Sequence, residues 1–248
     1  GFGFSDSLAH ALAHELEHAG SLHVDDPQLL LPGDECYPNG RFIDAVPPLP
    51  VALWAIGHRS LLDNQRQALG VAGSRDAVDD LLALTHRLAG IAATQAWDVV
   101  SGLSAGVDSA AHQGVVDFGG STIGVLANGL SVRSTHWQPE NLDDVCFVSQ
   151  FTPSEPWSGP RAMQRNSTIA ALSDRVFITA AGDRGGSWEM GQLCLKKHKP
   201  LYVLDIDTET TAGNQRLIRG GATGVSVDEL EVVFHETAPD VSPQTLFD

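Results

Sequence analysis

Residues 99–112 constrain the fold more than any other stretch, because they join a buried strand to a helix through very small residues. We predict a strand over 98–101 and a helix that begins near Gly106 and runs through Phe118. A strand that ends in a Gly/Ser turn before a helix can hold an anion, because free backbone N–H groups and the positive end of the helix dipole face the ligand. The spacing is not the dinucleotide fingerprint G-x-G-x-x-G, so this motif alone predicts only a phosphate or nucleotide cradle.

Strands and helices alternate on both sides of this turn. Further strands are expected over 51–56, 68–72, 122–126, 146–149, 175–179 and 201–204, and further helices over 76–94, 163–172 and 187–197. Strands separated by helices form parallel βαβ units, which assemble into a doubly wound sheet. The predicted fold class is therefore α/β, with a Rossmann-like, mostly parallel sheet and an N-terminal helical and irregular extension.

Composition divides the chain into three predicted parts. Residues 1–50 are expected to hold a helix over 5–19 and an irregular connector rich in Pro and Asp. Residues 51–235 are expected to form the Rossmann-like domain, and residues 236–248 a flexible acidic tail. A chain of 248 residues is long enough to bury one full α/β core in this way.

Several classes of protein are disfavoured by what the sequence lacks. No long uncharged apolar run is present, so no transmembrane helix and no membrane partner are expected. The first residues do not have the basic-then-apolar layout of a signal peptide. Cys36, Cys146 and Cys194 lie far apart without C-x-x-C spacing, which predicts free thiols in a reduced, cytoplasmic setting.

The first predicted helix contains His14-Glu15-Leu16-Glu17-His18, a literal H-E-x-x-H. Zinc proteases use this spacing because it places two imidazoles and a glutamate on one helix face. A zinc hydrolase is therefore one hypothesis. Against it, the helix begins at the fifth residue, so no upstream sheet exists to form a substrate cleft. We interpret the histidines as part of a polar helix face and predict neither a metal nor any other cofactor.

The formal net charge of −16 argues against a general nucleic-acid binder. Most of the acid excess lies at the two ends, however, with a net charge of −7 in residues 1–50 and −6 in residues 225–248. The middle of the chain carries a net charge of only −3 and can still hold a local basic groove. Candidate cations for such a groove are Arg75, Arg133, Arg161, Arg165, Arg184, Lys196, Lys197 and Lys199.

Ligands of doubly wound sheets bind beyond the carboxyl ends of the strands. The predicted strands end in small or polar residues, so these residues should converge on one rim of the sheet. Together with two residues of a later helix, the candidate phosphate- or nucleic-acid-binding set is Gly73, Ser74, Arg75, Ser101, Gly102, Ser104, Gly106, Asp108, His112, Asn128, Gly129, Arg165, Asn166, Gly185, Gly186 and Ser187.

Individual members of this set have a binding and a structural interpretation. Arg75 and Arg165 carry planar, bidentate donors that suit a phosphate. Asp108 either binds a sugar hydroxyl or satisfies the dipole of its own helix. His112 is either a ligand-binding group or a packed, hydrogen-bonded histidine. Asn166 either contacts a base edge or caps a helix.

Two tryptophans add an aromatic component to the predicted rim. Trp157 and Trp188 lie in or next to rim loops, where an aromatic face can stack on a base. Packing in the core or at an interface is the alternative for each of them.

Five motifs, in the same order along the chain, resemble those of the DprA/Smf family of DNA-processing proteins. They are Gly73-Ser74-Arg75 (G-[ST]-R), residues 101–112 (S-G-x-A-x-G-[IV]-D-x-x-A-H), residues 119–129 (G-G-x-T-I-A-V-L-x-x-G), residues 139–142 (P-x-N) and residues 165–173 (R-N-R-x-I-x-x-L-S). The second is the most specific. The similarity extends from about residue 37 to about residue 222.

The resemblance implies a Rossmann-like homodimer that binds single-stranded DNA in a basic pocket at the sheet rim. It also implies assistance to a RecA-type recombinase in DNA recombination or in the DNA uptake of natural transformation. Members of the family are mostly not regarded as enzymes. Our leading hypothesis is therefore a DNA-processing protein without catalytic residues.

An alternative uses the same pocket for a single nucleotide. Residues 185–190 read Gly-Gly-Ser-Trp-Glu-Met, which is similar in wording to the G-G-x-G-T-x-x-E of the related LOG-type nucleotide phosphoribohydrolases. The chain would then be a nucleotide sensor, or a hydrolase of the N-glycosidic bond of nucleoside monophosphates, with Glu189 or Asp108 aiding loss of the base. A continuous positive groove would favour a DNA strand, and an enclosed pocket would favour the mononucleotide.

Overall fold

The structure is a computed structural model that describes residues 27–42, 50–63, 65–132, 136–206, 208 and 211–235. The predicted helix over 5–19, with His14 and His18, lies outside the described residues, as do Arg133 and the tail over 236–248. In the described part of the chain, no helix has the length and apolar character needed to cross a membrane.

The described residues form nine strands and six α-helices. The strands are β1 (Gln28–Leu30), β2 (Leu53–Gly57), β3 (Ala68–Ala72), β4 (Asp98–Gly102), β5 (Thr122–Leu126), β6 (Val145–Ser149), β7 (Arg175–Ile178), β8 (Leu201–Leu204) and β9 (Thr223–Val225). The helices are α1 (Asn39–Phe42), α2 (Asp79–Thr94), α3 (Val107–Asp117), α4 (Gly159–Leu172), α5 (Gly186–Lys196) and α6 (Ala212–Arg219). Short 3-10 helices include Arg59–Leu62, Leu130–Val132 and Leu230–Phe234.

All nine strands belong to one sheet, in the order β1-β2-β6-β5-β4-β3-β7-β8-β9. The strands from β6 to β9 in this order are parallel, whereas β2 pairs antiparallel with both β1 and β6. The order of the strands reverses direction between β3 and β7, which are neighbours in the sheet although β4, β5 and β6 lie between them in sequence. The predicted α/β, Rossmann-like, mostly parallel sheet is confirmed, and its topological switch point lies between β3 and β7.

Both faces of the sheet are covered by helices, which explains why the central strands are apolar without alternation. Leu69 and Val71 of β3 face a core formed with Leu88 of α2 and Val115 of α3. On the opposite face, Val100 belongs to a second core that includes residues of α4, α5 and α6. Each fully buried aliphatic side chain contributes about 1.5–3 kcal/mol, so these two cores hold the strand ends rigidly in place.

The segment predicted to be an irregular connector contains β1 and α1, and this part of the prediction is wrong. The strand β1 joins the sheet through β2, which is itself antiparallel to β6 and forms no βαβ unit. Arg41 of α1 donates to the carbonyl of Leu172 at 3.0 Å and lies 3.2 Å from Asp174 Oδ2. These contacts join residues far apart in sequence, so no local pattern indicates them.

Two helix starts differ from their predicted positions. The helix α4 begins at Gly159 and not at 163, because Ser158 caps it by accepting from the N–H of Arg161 and a proline follows in the first turn. The helix α2 begins at Asp79 and not at 76, because the N–H of Asp76 donates to Ser74 Oγ in a turn at 3.1 Å. The short elements α6 and β9 were not predicted.

Candidate functional site

The carboxyl ends of the central strands meet at one rim of the sheet, and two adjoining cavities open there. The first cavity has a volume of about 380 Å³ and the second a volume of about 640 Å³. Four residues line both of them: Arg75, Ser104, Trp157 and Arg165. The two cavities therefore form one continuous depression across the switch point, which we call the rim groove.

Ten of the sixteen predicted residues line the rim groove: Gly73, Ser74, Arg75, Ser104, Asp108, Asn128, Arg165, Asn166, Gly186 and Ser187. The other six do not line it: Ser101, Gly102, Gly106, His112, Gly129 and Gly185. The chain fold thus brings together residues from three separate loops and three helices, as the convergence of strand ends predicts.

Arg165 occupies the junction of the two cavities, and only 5% of its surface is exposed. Its Nη1 donates to the carbonyl of Val125 at 2.6 Å, whereas its buried Nε has no hydrogen-bond partner among the described residues. The guanidinium lies so close to Gly102 that a Cβ at that position would collide with it. Burial lowers the pKa of Arg165, and the nearby charge of Asp108 raises it. A buried guanidinium with an unused donor is costly, and an anion in the groove would supply the missing acceptor.

The loops after β3 and β4 are packed directly against each other. Gly106 adopts a φ of +75°, and a Cβ there would lie 2.5 Å from the carbonyl oxygens of Ser74 and Arg75. A Cβ on Gly73 would lie 2.5 Å from a methyl group of Val107, whose N–H donates to the carbonyl of Ser74 at 3.2 Å. Glycine is therefore required at positions 73 and 106. The close contact between the two loops positions the exposed Arg75 at the rim.

The anion cradle predicted over 101–106 is filled in part by the chain itself. Asp108 is buried, and its Oδ2 accepts from the N–H of Ser104 at 3.3 Å. Burial raises the pKa of Asp108, while the charge of Arg165 and hydrogen bonds from Ser104 and Ser101 lower it. The carboxylate thus satisfies the start of its own helix, which matches the structural interpretation of this residue.

His112 lies behind the rim groove and is fully buried. Its Nε2 is 2.9 Å from the carbonyl of Gly102, and its Nδ1 is 2.8 Å from Thr122 Oγ1. Because a carbonyl can only accept, Nε2 carries the proton of the neutral ring. Burial lowers the pKa of His112 to about 4. This geometry matches the packed histidine and not the ligand-binding one.

The remaining predicted residues shape the edges of the rim groove. Asn128 donates from Nδ2 to the carbonyls of Gly129 and Val132, which holds the loop after β5. A Cβ on Gly129 would collide with the carbonyl oxygen of Pro153. The loop after β5 can therefore pack this closely against the Pro153 backbone only with glycine at position 129. Asn166 lies in the second turn of α4, donates to the carbonyl of Gly186 at 3.1 Å, and therefore connects α4 to the start of α5.

The two predicted stacking tryptophans have different environments. Trp157 is 53% exposed, and the Cζ of Arg75 lies 5.5 Å from the centre of its ring. Trp188 packs against the core, and Arg216 covers its ring at 4.4 Å. Only Trp157 of this pair lines the rim groove.

Of the predicted basic residues that lie in the described ranges, three line the rim groove, namely Arg75, Arg165 and Arg184. Arg161 instead pairs with Glu155. Exposed apolar side chains also line the groove, including Val132 and Met163, which sequence reasoning missed because an isolated apolar residue carries no pattern.

Other kinds of site find little support in the described ranges. No group of three or more His, Cys, Asp or Glu among the described residues is placed to hold a metal ion. Cys36, Cys146 and Cys194 are free thiols, as predicted.

Comparisons with known proteins identify the family. The profile of the family described as DNA recombination-mediator protein A matches residues 28–236. Protein Smf of Synechocystis is 27% identical over 206 residues, which make up 79% of this chain and 51% of Smf. The chain thus spans about half the length of this relative.

Two solved structures share the fold. The DNA processing protein A of Streptococcus pneumoniae superposes with a TM-score of 0.73 at 20% identity, covering 91% of both chains. The DNA processing protein A of Helicobacter pylori, studied for its single-stranded DNA binding mode, gives a TM-score of 0.69 at 21% identity, covering 85% of this chain and 96% of that one. With the profile match over most of its length, the chain belongs to the DNA recombination-mediator protein A family.

Proposed function

We propose that this chain binds single-stranded DNA along the rim groove and takes part in DNA processing without catalysing a reaction. The observation that carries the proposal is Arg165, a buried guanidinium at the junction of the two cavities whose Nε has no partner in the described ranges. Such a group is stabilised when a phosphate supplies the missing acceptor and the opposite charge. Arg75 and Arg184 add cationic side chains on the exposed part of the same groove.

The shape of the rim groove supports a strand over a single nucleotide. The two cavities open side by side and are joined at Arg75 and Arg165, so consecutive phosphates can be bound along one line. Trp157 supplies an exposed aromatic face on which an unpaired base can stack, and Val132 and Met163 add apolar surface beside it. The relative from Helicobacter pylori, studied for its single-stranded DNA binding mode, supports the same class of ligand.

The mononucleotide alternative receives less support from the same residues. Glu189 is exposed on α5 and lines neither cavity of the groove. Asp108 accepts from the N–H of Ser104 and so has a structural role at the start of its own helix. Family membership extends the proposal to homodimerisation and to assistance of a RecA-type recombinase in recombination and natural transformation.

The experiment is a binding titration with a fluorescent single-stranded oligonucleotide at low salt. We expect Arg75→Glu to weaken binding about tenfold or more, because it removes one phosphate contact and adds a repulsive charge. The matched control is Lys197→Glu, the same charge reversal on an exposed residue at the far end of α5, about 16 Å along its axis from the rim. This variant should bind within a small factor of the wild type. Absence of binding by the wild type at low salt would refute the proposal.

A further inference from the structure

The loop over 179–185 joins β7 to α5, and we call it the β7–α5 loop. It contributes Ala180, Gly182 and Arg184 to the wall of the second cavity of the rim groove. Arg184 is exposed, and no acid among the described residues forms an ion pair with it, whereas the neighbouring Asp183 pairs with Arg216. The position of this loop therefore determines where the Arg184 guanidinium stands in the groove.

The outer half of the β7–α5 loop contains two glycines that pack against almost nothing. A Cβ on Gly185 would meet no atom within 4 Å, and a Cβ on Gly182 would meet only the carbonyl oxygen of Arg184, at 3.7 Å. Glycine also leaves the backbone more conformational freedom than any other residue. Because packing at these glycines does not fix the loop, its position depends on contacts made by its first residues.

Those contacts come from Asn214, in the first turn of α6. Asn214 is fully buried and lines neither cavity of the groove. Its Nδ2 donates to the carbonyls of Thr179 at 3.0 Å and Leu204 at 2.8 Å, and its Oδ1 accepts from the N–H of Ala181 at 2.8 Å. This set requires two donors and one acceptor on one short side chain, which the amide of asparagine supplies.

The residue before Asn214 makes a second contact with the same part of the loop. The N–H of Gly213 donates to the carbonyl of Ala181 at 2.9 Å. A Cβ on Gly213 would lie 2.2 Å from the carbonyl oxygen of Gly182, so the start of α6 lies directly against the loop backbone. A buried network whose polar groups are satisfied in this way holds one arrangement rigidly.

We propose that Asn214 is a positioning residue for DNA binding, which anchors the β7–α5 loop and thereby places Arg184 against a phosphate of the strand. This inference rests on the proposed function. Asn214 lines neither cavity, so it acts through Arg184 and not by contact with the strand. Loss of its amide removes three hydrogen bonds and releases the loop that carries the cation.

The test is a double-mutant cycle of Asn214→Ala and Arg184→Ala, read by fluorescence anisotropy with a single-stranded oligonucleotide at several salt concentrations. We expect each single variant to bind about fivefold more weakly, as for the loss of one exposed charge contact. The double variant should bind no more weakly than the weaker single variant, because both changes remove the same contact. In each variant the salt slope should become shallower by about 0.7, the value for one phosphate of a single strand.

Circular dichroism shows whether each variant is folded under the conditions of the titration. Asn214→Ser keeps a hydroxyl that is too short to make all three hydrogen bonds, and it takes the place of Asn214→Ala if that variant does not fold. The salt slope separates the positioning role from a general loss of stability, because a folded protein that keeps every phosphate contact keeps the slope of the wild type.

The matched control is Thr211→Val, at the N-cap of the same helix. Thr211 is also fully buried, but its Oγ1 accepts from the N–H of Thr208 at 2.9 Å and donates to the carbonyl of Ile206 at 3.0 Å, away from the β7–α5 loop. This variant should bind DNA within a small factor of the wild type and with the same salt slope.

Three results overturn the positioning inference and leave strand binding intact. They are wild-type affinity in the Asn214 or Arg184 variants, losses that add in the double variant, and an equal loss in Thr211→Val. Failure of the wild type to bind the oligonucleotide at low salt overturns the proposed function and this inference together.

Discussion

Asp98 is the first residue of β4 and lies at the end of the strand remote from the rim groove. Its buried carboxylate provides a test of the electrostatics of the fold. Its side chain is 1% exposed, and no residue in the described part of the chain donates a hydrogen bond to either carboxylate oxygen. Arg66 Nε lies 3.2 Å from Oδ1 but is itself 42% exposed. Burial raises the pKa of Asp98 to about 6, against an attraction from Arg66 that lowers it. The folded protein therefore holds this proton more tightly than the unfolded chain does.

The sign of the pH dependence follows from this raised pKa. The penalty for ionising Asp98 in the folded state is absent below pH 3.8, grows as the pH rises and is complete above about 6. A shift of about 2 units corresponds to about 3 kcal/mol. The change Asp98→Asn removes the charge and keeps the shape, and Arg66 stays solvated without its partner. We expect the variant to be more stable than the wild type by about 3 kcal/mol at pH 7.5 and by about 1 kcal/mol at pH 4.5.

The assay is urea unfolding followed by circular dichroism at the two pH values, with the difference between variant and wild type taken at each. Other groups that titrate in this range cancel in that difference. Single-stranded DNA binding serves as the internal control and should be unchanged, because Asp98 does not line the groove. A stability difference that is the same at both pH values, or a variant less stable at pH 7.5, would refute this account of the buried carboxylate.

Two further predictions separate the site from the scaffold. Gly102→Ala places a methyl group against the Arg165 guanidinium. We therefore expect about a tenfold loss of DNA affinity and a free energy of unfolding lower by about 1–3 kcal/mol. DNA affinity equal to that of the wild type would contradict the placement of Arg165. Arg175 is also buried, but it donates to the carbonyls of Val233 and His235 and lies 5.0 Å from the ring of Trp97. Arg175→Met should therefore lower the free energy of unfolding by about 2–4 kcal/mol and leave DNA affinity unchanged; a loss of affinity in a folded Arg175→Met protein would count against the distinction.

The sequence predicted the central part of the fold well, because local patterns carry it. The glycines at 102 and 106, followed by an amphipathic helix, indicated a strand, a tight turn and a helix start, and the structure shows why both glycines are needed. Apolar runs of strand length identified β3, β4, β5, β7 and β8 with small errors at their ends. These features depend on neighbours in sequence.

Features that depend on distant contacts were not predictable in the same way. The burial of Arg165 depends on Gly102 and on the Val125 carbonyl, which is 40 residues away in sequence. The helix α1 is held by Arg41 across 131 residues to Leu172. Likewise, both interpretations of His112 suited the sequence, and they are separated by its burial and by its contacts with the Gly102 carbonyl and Thr122.

The most direct test of strand binding by the rim groove is the dependence of oligonucleotide affinity on salt. Among the residues that the structure describes, three Arg side chains line the groove, Arg75, Arg165 and Arg184. If each neutralises one phosphate of a single strand, the logarithm of the association constant should fall against the logarithm of salt concentration with a slope of about −2. Affinity should then weaken about 20-fold between 50 and 200 mM salt. A slope near zero, or no binding at 50 mM salt, would contradict phosphate recognition by this groove.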